Sequence, residues 1–165
     1  MLNSGCATAH LTERPVTYWL IKSEPDTYSI DDLERDRMEP WDGIRNYQAR
    51  NMIRDEMTPG DEAFFYHSSC ETPAIVGIAK IASRAYTDPT QYDSRSKYFD
   101  PKSTEDKPRW YLVDVAFVRK LQRPVTLREM KDHPGLKDFR LTQRGNRLSV
   151  LPVSESHWKL ILSLE

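Results

Sequence analysis

Glycine is scarce in this chain, six residues in 165. No G-x-G-x-x-G, P-loop, G-x-S-x-G or H-E-x-x-H pattern occurs. A glycine-rich phosphate cradle is hard to build from so few, which counts against nucleotide-cofactor and phosphoryl-transfer chemistry. Cysteine is scarcer still: Cys6 and Cys70 are the two residues present. They make no disulfide framework and suit a reducing cytosol. No apolar run approaches the roughly 20 residues that span a bilayer. Residues 1–15 have neither an apolar core nor a basic start, so they do not read as a secretory signal. A cytoplasmic protein without a membrane partner is expected. An excess of one charge is also missing, with 24 Lys and Arg against 25 Asp and Glu. Coating nucleic acid by charge alone takes many phosphate contacts, so any such contact must be local. His10, His67, His133 and His157 lie far apart, and the His67/Cys70 pair has no second pair to answer it. No metal and no cofactor is expected.

What is present fits one ordinary domain, with 38% hydrophobic residues to fill a core. Residues 1–15 read as a flexible tail and residues 16–165 as a single domain. Residues 17–23 (TYWLIKS) form a short strand ended by Pro25. Ser29 is an N-cap for a short helix with Asp31 and Asp32 in its first turn, where the dipole favours anions. Ala49, Met52, Ile53 and Met57 recur at helical spacing from Asn46 onward, and Pro59-Gly60 predicts a type II turn. Two strands follow, the second interrupted by Gly77, which signals a bulge or a close backbone approach. Residues 87–108 are a long polar loop, and such loops in compact domains are functional or disordered. RWYLVDVAFVRKL is the clearest strand. A helix capped by Thr126, a strand closed by Pro152 and a helix capped by Ser154 complete the chain. Strands cluster in the middle rather than alternating with helices. That pattern predicts an α+β fold with a largely antiparallel, curved sheet, open to closure into a barrel.

Several residues invite chemistry. His67, Ser68 and Cys70 end a strand, but neighbours on a strand point to opposite faces and no third member presents itself. Glu24, Asp26, Asp31 and Asp32 read as a solvated helix start. Trp19, Trp110 and Trp158 read as core. Trp41 differs, because it lies on a turn beside Asp42, Gly43, Arg45 and Asn46. On the residues alone it is either core or one wall of a pocket for something flat, since a base can stack on an aromatic ring. Arginines gather in three segments: Arg45, Arg50 and Arg54; Arg119 and Arg123 with Lys120; and Arg140, Arg144 and Arg147. Such segments in a neutral chain leave a local nucleic-acid patch open.

YWLIKSEPDTYSIDDL, WDGIRNYQARNMIRD, GDEAFFYHSS, AIVGIAKI, WYLVDVAFV and RLSVLPVS, in this order, closely resemble the EVE domain. The resemblance runs from about Thr17 to the C-terminus. It implies a PUA-like fold, a twisted, nearly closed β-barrel with flanking helices. EVE domains are similar to YTH domains, which hold a modified RNA base in an aromatic cage, and are linked to reading C5-modified cytosine in DNA. By the same resemblance Lys22 and Ser23 end the first strand at a base pocket, and Trp41 occupies the place of the first cage tryptophan. Asn46, Tyr47, Tyr66, His67, Ser68 and Arg147 fall on signature positions. For a second wall, residues 87–108 offer Tyr92, Tyr98 and Phe99 but no tryptophan.

The resulting expectation is a non-enzymatic module that takes a flipped, modified base. Lys22, Ser23, Trp41, Asp42, Asn46, Tyr47, Tyr66, His67 and Ser68 are its expected pocket, and Arg45, Arg50, Arg119 and Arg147 its expected phosphate contacts. The expected partner is modified DNA, ahead of RNA. The alternatives are an RNA-binding module, a small-molecule pocket, and an enzyme using His67 with Glu24 or Cys70.

Overall fold

The computed structural model describes residues 14–165. The expected tail, residues 1–15, lies outside that range except for Arg14 and Pro15. The elements are β1 (Tyr18–Ser23), α1 (Ile30–Asp36), β2 (Met38–Pro40), α2 (Tyr47–Asn51), β3 (Glu62–His67), β4 (Ala74–Ile81), β5 (Tyr86–Thr87), β6 (Tyr111–Leu112), β7 (Asp114–Thr126), α3 (Leu127–Asp132), β8 (Val150–Val153) and α4 (Glu155–Leu162). No helix among the described residues is long and apolar enough to cross a membrane.

Six strands form one sheet in the order β2-β7-β4-β3-β1-β8. All its pairs are antiparallel except β1 with β3. The register shifts between Phe65 and Tyr66, between Ile75 and Gly77, and between Ile78 and Ala79. Such irregularities bend and twist a strand, and the sheet curls into a half-barrel accompanied by four helices among the described residues. This is the expected α+β class. Trp19, Leu20 and Ile21 are at most 1% exposed. Their unbroken apolar run belongs to a strand held between two neighbours and covered on both faces. Gly77 has its glycine for the expected reason. A Cβ there would come within 2.6 Å of Ile30 and 2.9 Å of the Arg119 carbonyl, so α1 seats directly on the sheet.

The caps follow the sequence. Ser29 with Asp32, and Thr126 with Glu129, form reciprocal capping boxes, and the Ser154 hydroxyl accepts from the His157 N–H. Gly60 has φ +97, and the Asp61 N–H donates to the Thr58 carbonyl, as a type II turn requires. The core tryptophans behave as expected: Trp158 stacks on Phe64 at 3.8 Å, and the Trp19 indole N–H donates to buried Asp61.

Three expectations change. The helix expected from Asn46 to Met57 starts after Asn46, which caps it, and widens to a π-helical turn at Met52–Glu56. The single strand expected at RWYLVDVAFVRKL divides at Val113, whose carbonyl accepts from the Trp41 N–H. The two pieces then take different partners, β6 with β5 and β7 with β2 and β4. The second expected strand likewise splits into β4 and β5. Strand β2, three residues long, had no periodic signal of its own.

Candidate functional site

A cavity of about 570 Å³ opens where β1 ends and the chain leaves β2. Lys22 and Ser23 come from the end of β1, Tyr28 from the turn that follows, and Glu39 to Asn46 from the approach to α2. Lys97 and Tyr98 reach in from the long loop, and Ser149 from the residue before β8. The volume lies within the roughly 300–1,000 Å³ usual for small-ligand sites.

Trp41 is core, and it also borders this opening. It is 8% exposed, with edge-on contacts to Phe65 at 5.6 Å and Tyr28 at 6.3 Å. The segment carrying it is pinned at three points. The Trp41 N–H donates to the Val113 carbonyl, the Gly43 N–H donates to Asp88, and the Asn46 side chain accepts from the Ala49 N–H. The Asn46 amide oxygen therefore caps α2, which leaves its NH₂ donors for the cavity. Tyr98 is the aromatic that the loop supplies. Its ring packs against Gly43, and the Arg45 guanidinium lies 5.5 Å from its centroid.

The cavity carries both signs of charge. Partial burial, and then the neighbouring Asp88 charge, push the Asp42 carboxyl above its ordinary pKa, against the pull of Arg45 and Lys97. Burial, with Asp36 and Asp42 nearby, does the same to Glu39. Burial lowers the Lys22 ammonium. Asp88, which is bonded to the lining residues Gly43 and Arg45, behaves oppositely. Its burial raises it, but donors from Thr90, Gly43 and Arg45 outweigh that and hold it low. Mixed charge and polar groups beside aromatic rings suit a planar, neutral, hydrogen-bonding ligand better than a bare anion. Among the described residues no group of three or more His, Cys, Asp or Glu side chains converges on a metal position.

Of the expected pocket residues, the fold brings together Lys22, Ser23, Trp41, Asp42 and Asn46. Tyr47, Tyr66, His67 and Ser68 do not line the cavity. Tyr47 lies outside it, half exposed and stacked on Trp110 at 4.8 Å. Tyr66 is core, and burial pushes its phenol up to about 12. The His67 Nε2 accepts from the Ile30 N–H at 3.1 Å, so its lone pair is taken by the start of α1. Burial accordingly lowers its pKa. The Cys70 thiol donates to the His67 carbonyl, not to the ring, so the pair has no nucleophile–base geometry. The Ser68 N–H donates to the Ser23 carbonyl.

The expected phosphate contacts also divide. Arg45 is a clamp: its five N–H groups donate to Asp88, Thr90, the Ile44 carbonyl and twice to the Tyr98 carbonyl. A guanidinium has five donors, so none remains for a phosphate. Arg119 forms a two-pronged pair with Glu165, at 2.7 and 3.1 Å, away from the cavity. Arg50 lies over Tyr47 and donates to the Arg109 carbonyl. Arg147 lines a second, smaller hollow.

Tyr28, Glu39, Lys97 and Ser149 were not expected. They come from four separate stretches, and no spacing links them. For Tyr98 the signal was an aromatic residue in a loop too long to be a simple connection.

The sequence profile of the EVE domain matches residues 17–164. Thymocyte nuclear protein 1 of Mus musculus is 44% identical over 167 residues, covering 90% of this chain and 73% of the relative. A crystal structure of a Pseudomonas syringae protein is 50% identical, with a TM-score of 0.85, covering 89% of this chain and 98% of that one. The crystal structure of human THYN1 protein in complex with 5-methylcytosine containing DNA is 41% identical, also with a TM-score of 0.85, covering 90% and 96%.

Proposed function

The chain belongs to the EVE domain family, and on that premise we propose that it is a nucleic-acid-binding module whose cavity takes a flipped, C5-modified cytosine of DNA. The observation that carries this reading is the set of rings and edge groups around one opening: Trp41 and Tyr98 with Asp42, Asn46 and Lys22. The similar human protein crystallised with 5-methylcytosine DNA supports the choice of ligand.

Each part of a cytosine has a counterpart. The Asp42 carboxylate accepts from the exocyclic amino group, as acidic side chains do with cytosine. The Asn46 amide and the Lys22 ammonium donate to the ring nitrogen and carbonyl. Pro40 and Ile44, both in the lining, give the C5 substituent an apolar surface. Burying one methyl group is worth about 0.8 kcal/mol, roughly a fourfold preference. Stacking contributes about 1–3 kcal/mol per ring, while extruding a base costs a few. Two rings offset that cost, and the edge contacts supply the selectivity.

The test is a competition between matched duplexes with and without one 5-methylcytosine, with RNA counterparts alongside. Preference for the modified DNA is expected, lost in Tyr98→Ala and in Asp42→Asn. Equal binding of all four ligands by the parent protein would refute the reading, and preference confined to RNA would move the module to an RNA ligand.

A further inference from the structure

A second hollow, about 270 Å³, differs from the main cavity in character. Arg140, Arg144 and Arg147 line it, with Gln48, Gln143 and Asn146, and no acidic side chain takes part. The chain as a whole is neutral to within one charge. Among the described residues none of these three arginines has a carboxylate partner, whereas Arg14, Arg35, Arg45, Arg54, Arg95, Arg109, Arg119 and Arg123 each have one; Arg37, Arg50, Arg84 and Arg128 also lack one, but none of them lines the hollow. A cluster of like charges repels itself and costs stability unless an anion joins it.

The loop that carries them is built rather than slack. The Asn146 amide donates to the Arg140 carbonyl at 2.8 Å, and its oxygen accepts from the Leu148 N–H at 3.0 Å. Gly145, at φ +80, turns the chain between Arg144 and Asn146. That closure brings the three arginine backbones to one rim.

The position of the hollow gives it a ligand. Two separate stretches of chain border both openings. Asn46 lines the cavity and Gln48 the hollow; Ser149 lines the cavity and Leu148 the hollow. Residues one or two apart lie within about 4–8 Å, so the hollow is about a nucleotide's reach from the base pocket. We infer that the arginine hollow binds the backbone phosphate next to the flipped nucleotide of DNA. This rests on the reading of the main cavity as a base pocket. Two oxygens of one phosphate take two parallel N–H bonds from a guanidinium, and Gln48 or Gln143 adds a neutral donor. Contacts of this kind fix the register of the strand and carry no sequence information. The selectivity then stays in the main cavity, and the hollow aligns the strand so that one sugar faces it.

The experiment measures the affinity of the parent and of Arg144→Gln/Arg147→Gln for plain and 5-methylcytosine duplexes, and for their RNA counterparts, between about 50 and about 200 mM salt. Both substituted residues are exposed, and circular dichroism checks that the fold is kept. The variant should bind both duplexes more weakly by the same factor, with the slope of log K against log salt reduced by about 0.9 per lost phosphate. The ratio between the duplexes should stay at the parent's value. An unchanged slope overturns the phosphate site while leaving the base pocket intact. A parent without preference for the modified duplex sinks the pocket reading instead, and the slope on plain duplex still decides the hollow. A slope change seen with RNA alone overturns the assignment to DNA.

Discussion

Gly43 and Tyr98 are in direct contact across the mouth of the cavity: a Cβ on residue 43 would come within 2.5 Å of the tyrosine ring. The same glycine has φ +78. Gly43→Ala therefore meets two obstacles. The left-handed backbone costs an ordinary residue about 1–2 kcal/mol, and the tyrosine must leave its place. Denaturant unfolding should register at least the backbone cost, and ligand binding should weaken further than Tyr98→Phe weakens it. A variant with parental stability would mean that the contact is easily relaxed.

Asp88 is fully buried, and the Arg45 guanidinium pairs with it at 2.9 Å. Removing one partner of a buried pair leaves a charge without compensation and costs about 3–5 kcal/mol. Asp88→Asn and Arg45→Met should each lose stability on that scale, and the double variant should lose less than their sum. Arg45→Lys keeps the charge but cannot reproduce the forked contacts to Tyr98, Thr90 and Asp88. It should behave more like methionine than like the parent in a thermal melt.

Asp42 should show its burden in the pH dependence. Its folded pKa lies above the ordinary value, so the folded state holds the proton more tightly than the unfolded chain does. Ionisation then opposes folding, and its contribution to stability falls as pH climbs from the ordinary carboxylate value through the raised one. Asp42→Asn removes that decline. Its unfolding free energy should exceed the parent's at neutral pH and converge with it in acid, while its preference for modified DNA disappears. A variant less stable than the parent at pH 7 would contradict this.

Glu129 works in the opposite direction. The Arg123 guanidinium beside it, together with the Thr126 capping bonds, brings its carboxyl down to about 2 from 4.5. A depressed folded pKa means stability that is present above the unfolded value and lost as pH falls toward the folded one. Acid titration should loosen α3 between pH 4.5 and about 2. Glu129→Gln keeps a capping acceptor but has no charge to lose, so its acid transition should flatten in that window.

The elements with strong local signals were legible in the sequence. Ser29, Thr126 and Ser154 announce their helices because a cap is a short-range bond. Gly77 announces a close approach because only a missing Cβ permits it. The EVE motifs located one wall of the cavity, through Lys22, Ser23, Trp41, Asp42 and Asn46. The remaining walls are long-range. Glu39 reaches the cavity on a three-residue strand that exists because β7 pairs with it. Ser149 arrives through the pairing of β8 with β1. Arg45 read as a phosphate contact, because the carboxylate that captures it lies 43 residues further along. Tyr66 and His67, both signature positions, are taken up by the core and by the start of α1.

The pairing of Ile21 with Val150, and of the Lys22 N–H with the Ser149 carbonyl, gives synthesis of this protein a direction. Strand β1 must wait for the later β8 before its open side is covered. At about 5–20 residues per second that wait is roughly 6 to 26 seconds. Throughout it, the tip of β1 is an unpaired apolar edge. Chains stalled before Val150 would keep that edge open, a template for pairing with other chains.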